Sequence, residues 1–579
     1  MQTAIKLDMG GARVLARGAE FRVWAPLARE LVLRFEDGRA LPMERQQDGN
    51  FAILAEARAG DRYFLQVDGN RPVPDPVSRL LPEGVHGPTE IVDPTAFPWR
   101  DQAWRGLPLA DYIIYELHVG TFTPQGTFDA VIEHLDYLKK LGITAIEIMP
   151  VAAFPGRRNW GYDGVSLYAV QASYGGPAGL KRLVAAAQAA GLAVLLDVVY
   201  NHLGNEGNYL RMFGPYFTPR HHTPWGEAIN YDGEGGEGVR NFVIQNALYW
   251  VSEYHLDGLR LDAIQTIRDD SPYHIVEEIR DRVKALAAET GREVCVIAET
   301  DANDARLVRP KQLGGFGLDA VWSDDFHHAL HTVLTDEREG YYQDFGDKRQ
   351  IVQALNEGFI FQGEPFKFWN ARRGTKPEGV PLPAHVICIQ NHDQVGNRAR
   401  GERLRPLVSR GARRLAAALL LLAPETPLIF MGEEYDEDAP FQFFTDYGDP
   451  ALQKAVSEGR RNEFKQFRWT EVPDPQDPET FSRSRLHWAM ITEDNAMLRW
   501  YRSLIALRRQ YVWGGERTCW AELCEGNIRL QVPREHPRIM VLAGFPDRSE
   551  ALPTPPYWRE VLVNEEDGYF LRVLLPKEF

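Results

Sequence analysis

Between residues 111 and 432, short runs that are apolar on both faces recur: DYIIYELHV, ITAIEIMP, LAVLLDVVY, LDGLRLDAI, EVCVIAET, LDAVWSDDF, HVICIQNHD and PLIFMG. A strand with one wet face alternates; runs of this texture belong to parallel sheets covered by helices on the outside. The intervening segments carry helical periodicity. Phe128, Val131, Leu135 and Leu138 recur at three- and four-residue spacing after the first run, and Leu180, Leu183, Val184 and Ala187 do so after the second. Eight strands with helices between them predict an α/β fold, a closed (β/α)8 TIM barrel. An open doubly wound sheet is the competing arrangement, but no glycine-rich phosphate loop follows the first strand.

The flanks read differently. EFRVWAP, ELVLRF and RYFLQV alternate with period two, and the last two end at Asp37-Gly38 and Asp68-Gly69 turns. They predict a small N-terminal β-sandwich. The proline-rich stretch from Arg71 to Trp99 is expected to form an irregular connector. Near the other end, RIMVLAGF and YFLRVLLP predict a small C-terminal β domain. The expected division is 1–98, 99–512 and 513–579. The connection from His202 to Tyr231 is long and rich in glycine and aromatics, which marks a functional or disordered loop.

Composition narrows the function classes. With 65 basic and 81 acidic residues, the net charge of −16 argues against nucleic acid or an anionic membrane as partner. No basic start leads into an apolar run, and no stretch approaches the length needed to cross a bilayer, so neither secretion nor a membrane span is expected. Cys295, Cys388, Cys519 and Cys524 form no CxxC pair and read as reduced thiols of a cytoplasmic protein.

Acidic residues recur where the barrel strands end: Asp197, Asp262, Glu299 and Asp393. The C-terminal ends of barrel strands form the active-site face, so these carboxylates converge. One alone would read as a helix cap; four together do not. Arg260 and Asp262, two apart on a strand, share a face, and a guanidinium beside a carboxylate favours the ionised form. Glu299 follows an apolar run with no cation beside it in sequence, so desolvation favours its protonated form. Two carboxylates in environments that push their proton affinities apart are what glycoside hydrolysis needs.

DVVYNH (Asp197 to His202), GLRLDA (Gly258 to Ala263), AET (Ala298 to Thr300) and NHD (Asn391 to Asp393) resemble the four sequence regions of the α-amylase superfamily, glycoside hydrolase family 13. The resemblance implies Asp262 as nucleophile, Glu299 as general acid/base and Asp393 as transition-state stabiliser. It further implies that Arg260 holds Asp262, that Asp197, His202 and His392 contact the −1 sugar, that Asn201 supports the loop, and that Tyr162 in NWGYDG stacks on that sugar. Within the superfamily, FPGRRNWGYDG, SDDFHHALH, FWNARRG and IQNHDQVGNRARGERL are most similar to the branch that acts on maltooligosyltrehalose. Branching enzymes usually show serine before HD and glutamate after it; Asn391 and Gln394 stand there. Thr300 departs from the aspartate often found after the acid. The implied reaction is hydrolysis of the α-1,4 bond next to the terminal α,α-trehalose, with retention, no cofactor, and trehalose and a malto-oligosaccharide as products. Asp262 and Glu299 are then expected about 5 to 5.5 Å apart. A synthase that makes the trehalosyl end is the implied pathway partner. A branching or isoamylase-type debranching enzyme is the nearest alternative, and a non-catalytic glycan-binding protein a remoter one.

Weaker candidates surround this set. Trp160, Asp324, Arg157, Arg158, Trp225 and Tyr231 are placed to line sugar subsites, with packing or helix capping as the bland reading for each. His327 with His331 and His221 with His222 lack a third ligand at matching spacing, so no metal is expected. Arg499, Arg502, Arg508 and Arg509 read as a solvated helix face, and MGEEYDED after the eighth strand as a structural segment.

Overall fold

The computed structural model describes residues 8–463, 472–514, 516–546 and 551–577. The N-terminal part is two four-stranded sheets. One runs Gly11–Val14, Ala19–Trp24, Asn50–Ala55, Glu44–Arg45; the other runs Ala40–Pro42, Leu31–Phe35, Arg62–Val67, Thr89–Glu90. The period-two pattern fills the space between them. Phe21 from one sheet meets Tyr63 and Phe35 from the other with ring centroids 5.0 and 5.8 Å apart. The proline-rich connector differs from the expectation. Its Thr89–Glu90 segment pairs with Arg62 and Tyr63, and Val73 bridges to Leu65, because prolines there flank the paired residues and leave their N–H groups available.

Eight parallel strands close a barrel, labelled here β1 (Ile114–Leu117), β2 (Ala145–Ile148), β3 (Ala193–Val198), β4 (Gly258–Leu261), β5 (Cys295–Ala298), β6 (Ala320–Trp322), β7 (His385–Cys388) and β8 (Thr426–Phe430). Closure is explicit: Leu428 of β8 pairs with Ile114 of β1. All eight coincide with the apolar runs. The helices between them bury the expected stripe, with Leu180, Leu183, Val184 and Ala187 inaccessible on helix Gly176–Ala190. Phe128, Val131, Leu135 and Leu138 are equally buried but sit on two short helices, Phe128–Ile132 and Leu135–Leu141.

Alternation sorts each strand into an outward row under the helices and an inward row. The inward row is apolar at the N-terminal end of the barrel, where Ile114, Ala145, Ala193, Leu195, Cys295, Ile297, Ala320, Val386 and Leu428 form one cluster. Two residues further along the same rows stand Glu116, Glu147, Asp197 and Arg260, and then Asp262, Glu299 and Asp324. The barrel is thus packed with hydrocarbon below and charge above.

Beyond the barrel, five antiparallel strands run in the order Trp520–Cys524, Asn527–Val532, Ile539–Gly544, Tyr569–Pro576, Trp558–Glu566. They seat on helix Arg410–Leu422 through Arg410–Glu566 and on helix Lys348–Glu357 through Asn356, whose Nδ2 donates to Ala521 O at 2.8 Å. The long segment after β3 carries an antiparallel hairpin, Phe217–Thr223 with Gly226–Ile229. The arginine cluster needs a correction. Helix Ala496–Leu507 passes into a wide turn, Arg508–Val512, which changes the phase of the helix. Arg508 consequently points inward, fully buried, and donates to the carbonyls of Leu421, Ala423 and Glu425. All four cysteines are free thiols, and burial pushes Cys295 up to about 12. Among the described residues no helix is long and apolar enough to cross a membrane.

Candidate active site

The site is built around one guanidinium. Arg260 is inaccessible to solvent, its Cζ 4.3 Å over the Trp322 ring. Its Nη1 donates to Asp197 Oδ2 at 2.7 Å and Asp262 Oδ1 at 2.8 Å, while Nη2 lies 3.5 Å from Glu299 Oε2. Neighbouring strands set this spacing: Asp197 and Arg260 are register partners across β3 and β4, and Arg260 and Ile297 across β4 and β5. Asn201 completes the grip on Asp262, donating through Nδ2 to its Oδ2 and to its backbone carbonyl, each at 2.7 Å. Both Asp262 carboxylate oxygens are therefore fixed by donors.

Glu299 is held differently. Among the described residues, its Oε2 takes a hydrogen bond from the backbone N–H of Ala263 alone, at 2.6 Å. Burial pushes its carboxyl well above the ordinary range; Arg260 opposes this, and the carboxylates of Asp262, Asp393 and Asp324 reinforce it. The environment of Glu299 favours its protonated form, whereas Asp262 is hydrogen-bonded on both carboxyl oxygens.

Asp393 joins through His392 and Tyr162. Tyr162 donates to Asp197 Oδ2 at 2.6 Å and lies 2.7 Å from His392 Nε2, which is 3.3 Å from Asp393 Oδ2. Asn397 Nδ2 donates to the other Asp393 oxygen at 3.1 Å. The Tyr162 and His392 rings stack at 5.2 Å. Burial pulls the His392 imidazole down, but the Asp393 and Glu116 carboxylates outweigh it and hold it at about 9. Burial pushes Asp197 up to about 6 against the pull of Arg260.

Glu116 is a residue that sequence reasoning missed. It accepts from the His392 backbone N–H at 3.0 Å and from its Nδ1, and is itself 1% exposed. The signal was present as a lone charge inside the apolar run IIYELHV, on the row that points inward. Glu147, its register partner on β2, is equally buried with neither carboxyl oxygen hydrogen-bonded, and burial drives its carboxyl well above the ordinary range, to the neutral form.

The remaining candidates are placed as follows. His202 reaches the site edge, with Nε2 3.0 Å from Tyr162 O, Nδ1 against Asn201 Oδ1, and its ring stacked on Trp225 at 4.2 Å. Trp225 is half exposed. Trp160 is 4% exposed and packs between Phe441 and the Tyr162–His392 pair, its Nε1 donating to Gln442 O at 2.9 Å. Asp324 opens helix Asp324–Thr335 beside Asp393, and burial pushes it up to about 7. Tyr231 is buried and donates to Tyr200 O, and Arg158 pairs with Asp446. His327 spends both ring nitrogens, on Ile389 O and Tyr342 OH, and His331 contacts Glu337. His221 gains two carboxylate neighbours that sequence spacing does not reveal, Asp232 at 3.2 Å and Asp270 at 3.5 Å, and Arg220 shares both. Glu433 and Glu434, after β8, are buried and take hydrogen bonds from Tyr501, Gln390, Tyr115 and Tyr137, a structural role as expected.

With four carboxyl groups and an arginine placed at the mouth of a (β/α)8 barrel, the chain can be compared with known proteins. The α-amylase catalytic-domain model matches residues 92–216. A malto-oligosyltrehalose trehalohydrolase of Saccharolobus solfataricus is 49% identical over 89% of this chain and 89% of its own. The chain belongs to the malto-oligosyltrehalose trehalohydrolase family. Among solved structures, a putative α-amylase from Salmonella typhimurium is 39% identical, with a TM-score of 0.90 over 98% of this chain and 99% of that one. A pullulanase from Paenibacillus barengoltzii, 21% identical with a TM-score of 0.72 over 99% and 96%, shares the fold. Family membership and the barrel fold thus agree.

Proposed function

We propose that the chain hydrolyses the α-1,4 bond adjacent to the terminal α,α-trehalose of maltooligosyltrehalose, releasing trehalose and a malto-oligosaccharide. The observation that carries the chemistry is the contrast between two carboxyls on one guanidinium: Asp262 coordinated on both oxygens, Glu299 desolvated and raised. The trehalohydrolase relatives support the substrate.

In this reading Asp262 attacks the anomeric carbon of the glucosyl unit in the −1 subsite. Glu299 gives its proton to the departing oxygen, and trehalose leaves with that oxygen as a hydroxyl. The same Glu299, now a carboxylate, takes a proton from water as its oxygen displaces Asp262 from the glycosyl-enzyme, restoring both groups. Two inversions give retention. Asp393 faces the hydroxyls of that sugar and the positive charge that develops at the ring. The charged His392 and Tyr162 form the wall on which the ring rests, and Asp197 and Arg260 fix that wall. No step calls for a metal or cofactor. The four free thiols and acidic surface support a cytoplasmic location, and the substrate requires a synthase that builds trehalosyl ends.

The test is product analysis with maltotriosyltrehalose and, separately, maltopentaose. Release of trehalose and maltotriose with maltopentaose nearly untouched is expected. Equal cleavage of both would mean a general amylase. Inertness toward both would move the assignment to branching, debranching or glycan binding.

A further inference from the structure

The loop that brings Trp160 and Tyr162 to the site has a second use for its charges. Arg157 and Arg158, with Arg485 from beyond helix Pro478–Arg483, line a groove of about 460 Å³ together with Ser173, Ser482 and Asp446. None of these residues belongs to the carboxylate cluster. Three guanidinium groups meet one carboxylate there, in a chain whose net charge is −16. Asp446 is already engaged: Oδ1 accepts from Arg158 Nη2 at 2.5 Å and Oδ2 from the Arg157 backbone N–H at 2.8 Å. Among the described residues the guanidinium groups of Arg157 and Arg485 have no acidic partner. Among the described residues, the Nε of Arg158 and the Nε of Arg485 are shielded from solvent and find no acceptor.

Shielded N–H groups of a charged side chain are normally paired, because leaving them without an acceptor forfeits their hydration. The Arg485 guanidinium is also oriented, with its Cζ 5.1 Å from the centroid of the Phe481 ring. What suits three forks and an excess of two positive charges is a compact ligand with several acceptor oxygens and two negative charges. Guanidinium forks match phosphate oxygens two at a time. A neutral glucan would leave the charge excess uncompensated.

We propose that this groove binds a phosphate dianion, free or as the phosphate end of a sugar monophosphate. The loop behind it is already tied down at its base, where Gly156 approaches Asp446 so closely, at φ +70°, that a Cβ would meet the Asp446 carboxylate at 2.4 Å. An occupant adds ties through Arg157 and Arg158, two residues and one residue before the Asn159 carbonyl that His118 contacts at 2.9 Å, and five and four before Tyr162.

Isothermal titration of the full-length protein with sodium phosphate, glucose 6-phosphate and maltose, at constant ionic strength, tests this. Saturable heat with phosphate or glucose 6-phosphate is expected, weakened about tenfold or more by Arg485→Gln. The kcat/KM of that variant without added phosphate stays at the parent value. Tighter binding of glucose 6-phosphate identifies a sugar monophosphate, and equal binding identifies free phosphate. If Arg485→Gln does not fold, Ser482→Glu, at an exposed position on the groove wall, abolishes binding by repulsion. The proposal is overturned by no heat from either phosphate up to about 10 mM, by phosphate binding insensitive to both variants, or by maltose alone binding in a manner that Arg485 controls.

Discussion

Replacing Glu116 with Gln tests the charge network beneath the −1 subsite with almost no change in shape. Glu116 accepts from the backbone N–H and Nδ1 of His392 and, with Asp393, holds that imidazole at about 9. A glutamine keeps one acceptor but removes the charge. A hydrogen bond to a charged group contributes about 1.5–3 kcal/mol, and each pH unit corresponds to about 1.4 kcal/mol, so His392 should fall by about one to two units, to about 7–8. Asp393 still faces it, Glu147 is neutral and adds nothing, and Arg260 pushes in the same direction as the substitution. A group whose affinity for protons is lowered loses its charge at lower pH. The alkaline limb of kcat/KM for trehalose release should therefore move down to about pH 7–8, while at pH 6, where His392 stays protonated in both proteins, the variant approaches the parent rate. A uniform loss at every pH with the limb in place would mean that Glu116 acts by packing alone. An unchanged profile would mean that the charge of His392 does not matter to the reaction.

Three further outcomes follow from the geometry. Glu299→Gln should lower kcat by about 10² to 10⁴-fold and leave the dissociation constant for maltooligosyltrehalose unchanged; unimpaired turnover would remove Glu299 from the role of proton donor. Asp324→Asn takes away a carboxylate that raises Glu299 and that is itself ionised only above about 7. The alkaline limb should shift to lower pH, by roughly half a unit, with the acid limb untouched, and a shift to higher pH would contradict the arrangement. Arg260→Met leaves Asp197 and Asp262 buried without their cation, at a cost of about 3–5 kcal/mol in urea unfolding; a loss under about 1 kcal/mol, as for an exposed pair, would show that the cluster is solvated.

Legibility followed the rows of the barrel. The eight strands were readable because each is a run of apolar residues long enough to be buried on both faces, and the candidate carboxylates Asp197, Asp262, Glu299 and Asp393 stand where those runs end, with Arg260 two residues before Asp262 on the same row. Glu116 and Glu147 were not readable as site residues, because a single charge within an apolar run looks like interruption until parity is followed: Ile114 and Glu116, Ala145 and Glu147, Ala193, Leu195 and Asp197 all point inward. Arg508 misled for the opposite reason, since a count at helical spacing assumes a constant pitch and the wide turn at Arg508–Val512 breaks it. Trp160 and Tyr162 share a motif and a loop, yet one is spent on packing and the other on Asp197 and His392, a division decided by Phe441 and Gln442, about 280 residues further on. Parity along a strand is local and survives in sequence, whereas the partner that consumes a side chain is set by closure of the barrel. A charge on an inward row, counted from the apolar floor upward, is therefore the feature by which further site residues can be found in chains of this pattern, and it would have picked out Glu116 without a structure.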